Sequence, residues 1–587
     1  MATEHLLKEF PPVSTEAWEA AIARDLKGAD YKMRLIWRTE EGLAVKPYYR
    51  AQDLKGSARL DAAPGDFPYR RGVRATGGWR IREEIVATDA EDANCAACRA
   101  VAAGAEGIAF SSLLVKSSDE LALLLKNLGE VPVHFELANE RLIRLLIERL
   151  SRNWTGGRRI AAEISTGCDA LTSLDFAADV IDVAPAGFVP FAIPGETFEE
   201  AGATAVEEVG FTLAAGVDFL GAMEERGVNV DRAAAAIGFG FAVGANYFFQ
   251  IAKLRAFRMA WARVVESFGG TGEAARARIA ARTSRWNKTV YDPHLNILRG
   301  TTEAMAAVLG GADSVMVLPF DACYKAPNEA SQRLARNTQL LLKHEAWLNR
   351  VADAGGGSYY LETLTDFLAR EGWKSMQEIE ARGGYRKASA EGAIRRTLDQ
   401  SLTAREQAVA TRRRVMVGTN QYANRAERAL GRIDEQRMNQ TRRGARAYEE
   451  LRLRTERHAA QGGKTPRVLL AEIGDVKIRM ARANFAANFF ACAGFEIAAR
   501  RFKKAKEIAA ADGDLIVLCS ADRNYAALAA ELMQKLKALG RETPVIVAGN
   551  PENAAEIAAA GIAGFVHTRS KPLEVLTKWQ QRLGIKG

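Results

Sequence analysis

Histidine is scarce in this chain: six among 587 residues, His5, His134, His294, His344, His458 and His567, scattered along its length. That scatter argues against an all-histidine metal site, whose ligands recur at short spacings. There is no H-E-x-x-H and no G-x-x-x-x-G-K-[ST], which removes zincin and P-loop chemistry. The glycine cluster GFGFAVG, 238–244, lacks the spacing of a dinucleotide loop and the acidic residue about 20 positions on. Cysteine is sparse too. The six are irregularly spaced, as free thiols in a reducing cytoplasm are. Cys95-Ala96-Ala97-Cys98 has no second pair and no histidine nearby, so it reads as two structural cysteines on a helix rather than part of a zinc site. The opening MATEHLLKEF has no basic stretch leading into an apolar core, so no secretory signal is expected. One uncharged run, 233–252, is long enough to span a bilayer. It holds Gly238, Gly240, Gly244, Asn246 and Gln250, and a buried strand running into a buried helix explains it better. The net charge is +9, from 81 basic and 72 acidic residues. That is mixed surface, without the concentrated basic face of a nucleic-acid binder.

What is present suits a large globular protein. The length calls for at least two domains, and 48% hydrophobic residues can fill their cores. Residues 1–75 form an N-terminal arm. PVSTEAWEAAIARDLKG reads as a helix capped by Ser14 or Thr15, with Glu16 or Glu19 near its positive end. YKMRLIWRTEEGLAVKPYY alternates like strands around a turn at Glu41-Gly42. From 76 to 385 short apolar strands alternate with helical stretches. The strand candidates are 79–86, 107–112, 131–137, 179–184, 188–193, 237–244, 278–283 and 314–320, eight in all, which predicts a (β/α)8 barrel of the TIM type. Function in such a barrel lies at the C-terminal strand ends, and His134, inside a strand, reads as a core or barrel residue. Residues 386–465 are helical and rich in Arg and Glu. The acids interleave the arginines and aromatics are nearly absent, so the segment reads as a linker with a solvated face, not a nucleic-acid patch. Residues 466–587 alternate five strands with helices, predicting a flavodoxin-like doubly wound sheet. The loop after its first strand normally carries the chemistry. Here it holds Asp475, Lys477 and Arg479 and no histidine.

Several stretches in order resemble the methylmalonyl-CoA mutase family of adenosylcobalamin enzymes. They are FPYRRG (67–72), EAGATAVEEVGFTLAAGVDFL (200–220), IAKLRA (251–256), DPHLNILRGTTEAMAAVLGGAD (292–313), LPFD (318–321), ARNTQLLLKHE (335–345) and GGGSYYLETLT (355–365). The resemblance covers essentially the whole chain. It implies a barrel that admits CoA esters, a helical linker and a C-terminal cobalamin-type domain, the layout already read from the pattern.

The family's functional positions are altered. Its cobalamin-binding members carry D-x-H-x-x-G after the first C-terminal strand, and the histidine ligates cobalt. At that place this chain has Lys477 or Arg479, according to a one-residue gap, and neither offers a free lone pair at neutral pH. The later S-x-L and Gly-Gly motifs appear as CSA (519–521) and AGN (548–550), where Asn550 narrows the slot for the nucleotide tail. Aligned on Trp79, the family's corrin-side tyrosine is Arg74; its substrate-carbonyl histidine is Thr197; aligned on Trp286, its glutamine is Arg282. The resemblance therefore implies the small, non-catalytic subunit of the heterodimeric bacterial enzymes, with no cofactor, catalytic or metal residues of its own. Its implied partner is a homologous large subunit, which binds CoA esters and adenosylcobalamin and interconverts (R)-methylmalonyl-CoA and succinyl-CoA by radical rearrangement. SVMVLPFDA and TSRWNKTVYDP look more like the small subunit than the large one. The arm and the helix in NTQLLLKHEAWLN are candidate interface. Two other readings stay open: a divergent self-sufficient acyl-CoA mutase with another cobalt ligand, and a non-enzymatic assembly protein for a cobalamin enzyme.

Overall fold

The computed structural model describes residues 13–57, 60–152, 164–167, 169–171, 173–185 and 187–586; His5 and Cys168 lie outside them. Eight parallel strand positions form one ring. They are β1 (Arg80–Ile85), β2 (Gly107–Phe110), β3 (Val133–Phe135), β4 (Ile164–Thr166), β5 (Phe188–Val189 and Phe191–Pro194), β6 (Ile237–Val243), β7 (Ile279–Thr283) and β8 (Ser314–Met316). β8 pairs with β1 and closes the ring. β5 is split at Pro190: its first half pairs with β4 and its second with β6. Proline has no N–H for a ladder, and the Pro190 carbonyl instead accepts a hydrogen bond from Thr166 Oγ1. Helices ring the outside, as in a (β/α)8 barrel.

The glycine run now has a reason. In β6, Phe239 and Phe241 point outward and meet Phe257 at 4.7 and 4.8 Å, under the helix Tyr247–Ser267. The alternate residues Gly238 and Gly240 line the barrel axis. Residues 233–252 are thus a short helix end, a buried strand and a buried helix start. No helix among the described residues is long and apolar enough to cross a membrane. Cys95 and Cys98 lie on the helix Ala90–Ala102 without a disulfide.

Three expectations need correction. Residues 179–184 belong to the helix Leu174–Val183, whose buried Phe176, Ala177, Val180 and Ile181 trace a helical stripe; the fourth strand is Ile164–Thr166, too short to show alternation. In the arm, Asp30 caps a helix at Tyr31–Leu35, and only Trp37–Arg38 pairs with Ala44–Val45 across the Glu41-Gly42 turn. The helix Thr15–Asp25 forms as read, with Ser14 Oγ accepting from Ala17 N. The Arg/Glu-rich segment does not merely present a solvated face. Its helix Arg446–Ala460 buries Tyr448, Glu449, Leu451, Arg452, Leu453, Thr455 and Glu456.

Buried ion pairs tie these parts together. Arg70, Arg71 and Arg255 converge on Glu362, in the helix Tyr359–Glu380; Arg70 Nη2 and Arg255 Nη2 lie at 2.7 and 3.0 Å. Burial would raise the Glu362 carboxyl, but Arg255, the Gly357 N–H and Arg70 hold it at about 2. FPYRRG therefore clamps the arm to the barrel. The second sheet comprises β9 (Arg467–Glu472), β10 (Glu496–Arg501), β11 (Leu515–Cys519), β12 (Val545–Ala548) and β13 (Phe565–Val566). All are parallel in the order β10-β9-β11-β12-β13, the flavodoxin-like order whose switch point lies between β9 and its neighbours.

Candidate functional site

Two places follow from this architecture: the barrel's axis and C-terminal mouth, and the crevice at the carboxyl ends of β9 and β11. A cavity of about 310 Å³ runs along the axis, lined by residues from both ends of the strands. Small residues open it, among them Gly107, Ala192, Gly238, Gly240 and Ala280. Its polar lining consists largely of charged groups. Arg82 from β1, His134 from β3, Glu136 just past it, Glu196 and Thr197 after β5, and Arg282 from β7 all face it. The Glu196 carboxylate lies over Gly240, in the space a β-carbon there would take.

These groups set one another's protonation. Burial pushes His134 down to about 3, with the Arg82 charge adding to it, so the imidazole is neutral, with Nδ1 2.8 Å from Ser165 Oγ. Burial also raises the Glu136 carboxyl, as does Glu84; Arg82 and Arg282 oppose that. Arg282 loses solvation, but Glu196 and Glu200 outweigh that loss and hold the guanidinium charged; its Nη2 is 2.6 Å from Glu200 Oε1. Arg82 Nε and Glu196 Oε2 have no hydrogen-bond partner among the described residues. Thr197 Oγ1 is spent on the Pro194 carbonyl at 2.7 Å.

The structure brings Thr197 and Arg282 together at the C-terminal mouth and leaves Arg74 elsewhere. Arg74 donates to the Gly78 carbonyl at 2.6 Å and stands 3.6 Å from Asp313, just ahead of β1 and β8 and so at the opposite end of the barrel. The residues of β1 that approach the mouth are Arg82 and Glu84. Sequence reading passed over Arg82, Glu136 and Glu196. The sequence shows charge alternating with an apolar residue, as in Arg80-Ile81-Arg82, but not which of these residues face the axis.

At the second crevice the chain's own side chains pair with one another and with the backbone. Asp475 caps the helix Val476–Ala491 through Ile478 N at 3.0 Å. Arg479 is buried and folds back, donating to the Gly474 carbonyl at 2.8 Å and approaching Glu472 at 3.5 Å. Lys477 is exposed. Across the crevice Arg482 pairs with Asp522 at 3.0 Å. The Tyr525 hydroxyl donates to the Ala548 carbonyl at 2.8 Å and accepts from Ser520 N at 3.0 Å. A β-carbon on Gly549 would stand 3.0 Å from Asp522 Oδ1. Asn550 is exposed. These residues do not fit a base-off corrinoid: no imidazole stands in the loop, and the nearest candidates are a solvated ammonium and a buried guanidinium. Among the described residues no group of three His, Cys, Asp or Glu could hold a metal ion.

The chain is thus an eight-stranded barrel with a charged axis, joined through a buried linker to a flavodoxin-like sheet. The comparisons give the family. The family model described as methylmalonyl-CoA mutase matches residues 38–114 and 172–487. The methylmalonyl-CoA mutase small subunit of Porphyromonas gingivalis is 36% identical, over 99% of both chains. That of Streptomyces virginiae is 32% identical over 99% of this chain and 98% of its own. The methylmalonyl-CoA mutase of Rhizobium meliloti is 32% identical over 69% of this chain and 63% of its own. The chain belongs to the methylmalonyl-CoA mutase family.

Proposed function

We propose that this chain is the small, non-catalytic subunit of an adenosylcobalamin-dependent methylmalonyl-CoA mutase of the cytoplasm. The observation that carries the reading is the near full-length match to chains named small subunit. Two features of the sites support it. The crevice after β9 offers cobalt no lone pair. The barrel mouth holds a threonine engaged with its own backbone and an arginine paired with Glu200, in place of groups that would grip a substrate carbonyl. Corrinoid and CoA ester belong, on this reading, to a homologous large subunit, and this chain's residues supply surface.

The helix Thr15–Asp25 is the leading candidate for that surface. None of its residues is buried, and an isolated helix of that length is marginal in water. Trp18 is 47% and Met33 85% exposed. On the barrel's outside, Leu334 and Leu341 of the helix Glu329–His344 and Trp347 beyond it are also exposed. The test is co-expression with a homologue carrying D-x-H-x-x-G, purification of each chain and the complex, and visible absorbance with a mutase assay. The expected outcome is a colourless, inactive isolated chain and a one-to-one complex holding one corrinoid. Stoichiometric corrinoid on the isolated chain would favour a self-sufficient mutase instead.

A further inference from the structure

The flavodoxin-like sheet has two edges, and they differ. β13 has two residues, too few to template another strand. β10 pairs with β9 at all six positions and has no strand on its other side among the described residues. Glu496 N donates to the Pro466 carbonyl and Phe502 N to the Glu472 carbonyl, both at 2.9 Å. Successive N–H groups of a strand point to opposite sides, so those of Ile497, Ala499 and Arg501 point away from the sheet as an open ladder. At the carboxyl end of this edge Arg500, Arg501, Lys503, Lys504 and Lys506 are all exposed, and none has an ion pair or side-chain hydrogen bond among the described residues. The flanking acids are engaged. Glu496 faces Arg467 at 3.3 Å, and Glu507, the one carboxylate beside Lys503 and Lys504, accepts from Lys503 N at 2.8 Å.

Charge on an open edge keeps like copies apart. A second copy laid on β10 would set cations against cations, which is unfavourable between paired strands, so the edge selects an occupant of opposite sign. Nucleic acid fits it poorly. Arg500 and Arg501, being consecutive, stand on opposite faces of the sheet, which gives no single basic face. Phe502, the aromatic among them, packs against the core of the sheet and is not free to stack on a base. An extended peptide meets both features: its backbone continues the ladder, and its alternate side chains reach both faces. We propose that β10 and the loop to Lys506 form a docking edge for an extended acidic segment of a partner protein. The segment adds to the sheet as a sixth strand and sets its carboxylates against the five cations.

The experiment titrates the full chain into a fluorescein-labelled dodecapeptide of alternating glutamate and threonine, read by anisotropy. The same length of alternating lysine and threonine and an oligothymidylate of twelve nucleotides are the comparators. The expected result is saturable one-to-one binding of the acidic peptide alone, with slowed amide exchange in segment 496–502. Reversing Lys503 and Lys504 together to Glu should weaken it by about tenfold, the scale of two surface ion pairs turned to repulsion. Ala499→Pro keeps every charge but removes one outward N–H, at an edge position where proline is tolerated, and should weaken it by about fivefold, the scale of one backbone hydrogen bond. Absence of saturable binding, equal binding of the oligothymidylate or the basic peptide, or binding that leaves exchange in 496–502 unchanged would each overturn the proposal. The reversed lysines are exposed and unpaired, so that variant keeps the test sound if Ala499→Pro does not fold.

Discussion

At the scale of single residues the structure makes its sharpest claims about buried charge. Glu208, 1% exposed, is pushed by burial up to about 7, even with Lys253 pulling the other way. Between the ordinary value of 4.5 and about 7, the folded protein keeps a proton that the unfolded chain releases. Stability from this group is therefore fully present below the unfolded value and falls as pH rises through the window. Lys253→Met removes the cation that opposes burial and widens that window. The variant should lose about 3–5 kcal/mol, more at pH 8 than at pH 5.5, in urea denaturation at the two pH values. An equal loss at both would mean that Glu208 does not titrate there. Arg479→His supplies the missing imidazole but leaves Tyr525 and the Arg482–Asp522 pair in the crevice. The isolated variant should stay colourless in adenosylcobalamin after desalting; bound corrinoid would show that the lost ligand alone emptied the site.

The elements differ in how far the sequence betrayed them. Strands that are long apolar runs, such as β6, were legible, as was the cap at Ser14. β4 was not, because three residues are too few to show a period. Residues 179–184 misled because four apolar residues in a window of six fit a strand, and only the longer stretch from Leu174 reveals the helical stripe. At the second crevice, it was the resemblance that implied Lys477 or Arg479 at the cobalt-ligand position, and residue chemistry added only that neither offers a free lone pair. The charged axis was not legible, because which strand residues face inward depends on ring closure. Alignment on Trp79 likewise does not say at which end of the barrel Arg74 stands. Two elements invite tests. Deleting residues 13–28 should change this chain's own stability by less than about 0.5 kcal/mol, while weakening association with the large subunit in analytical ultracentrifugation. If association is unchanged, the arm is not interface. Gly202, at φ +113°, leaves no room for a β-carbon: one would lie 2.6 Å from Leu402 Cβ. Gly202→Ala should therefore lift the helix Ala393–Ala410 from the barrel, cost about 1–3 kcal/mol, and speed amide exchange in that helix.

For the molecule as a whole, the segment read as a solvated linker is the fastening between the two sheets. Glu449 accepts from Val290 N, in the loop after β7, at 2.7 Å and pairs with buried Arg443. Glu456 accepts from Tyr291 at 2.9 Å, and Gln580, in the last helix, donates to Thr455 at 2.8 Å. Glu449→Gln would strand a buried guanidinium and should destabilise the chain by about 3–5 kcal/mol, read as a lower denaturant midpoint. A surface-sized loss below about 0.5 kcal/mol would show that the linker is not what joins the parts.

The ring that closes between β8 and β1 has a consequence for inheritance. Its ladder bonds run from backbone to backbone, apart from the break at Pro190, whose carbonyl accepts from Thr166 Oγ1, and its outward face is packed by residues such as Phe239 and Phe241. Substitutions at inward positions near the mouth therefore escape the selection that guards folding. Chemistry along the axis of such a barrel can thus change while its architecture stays.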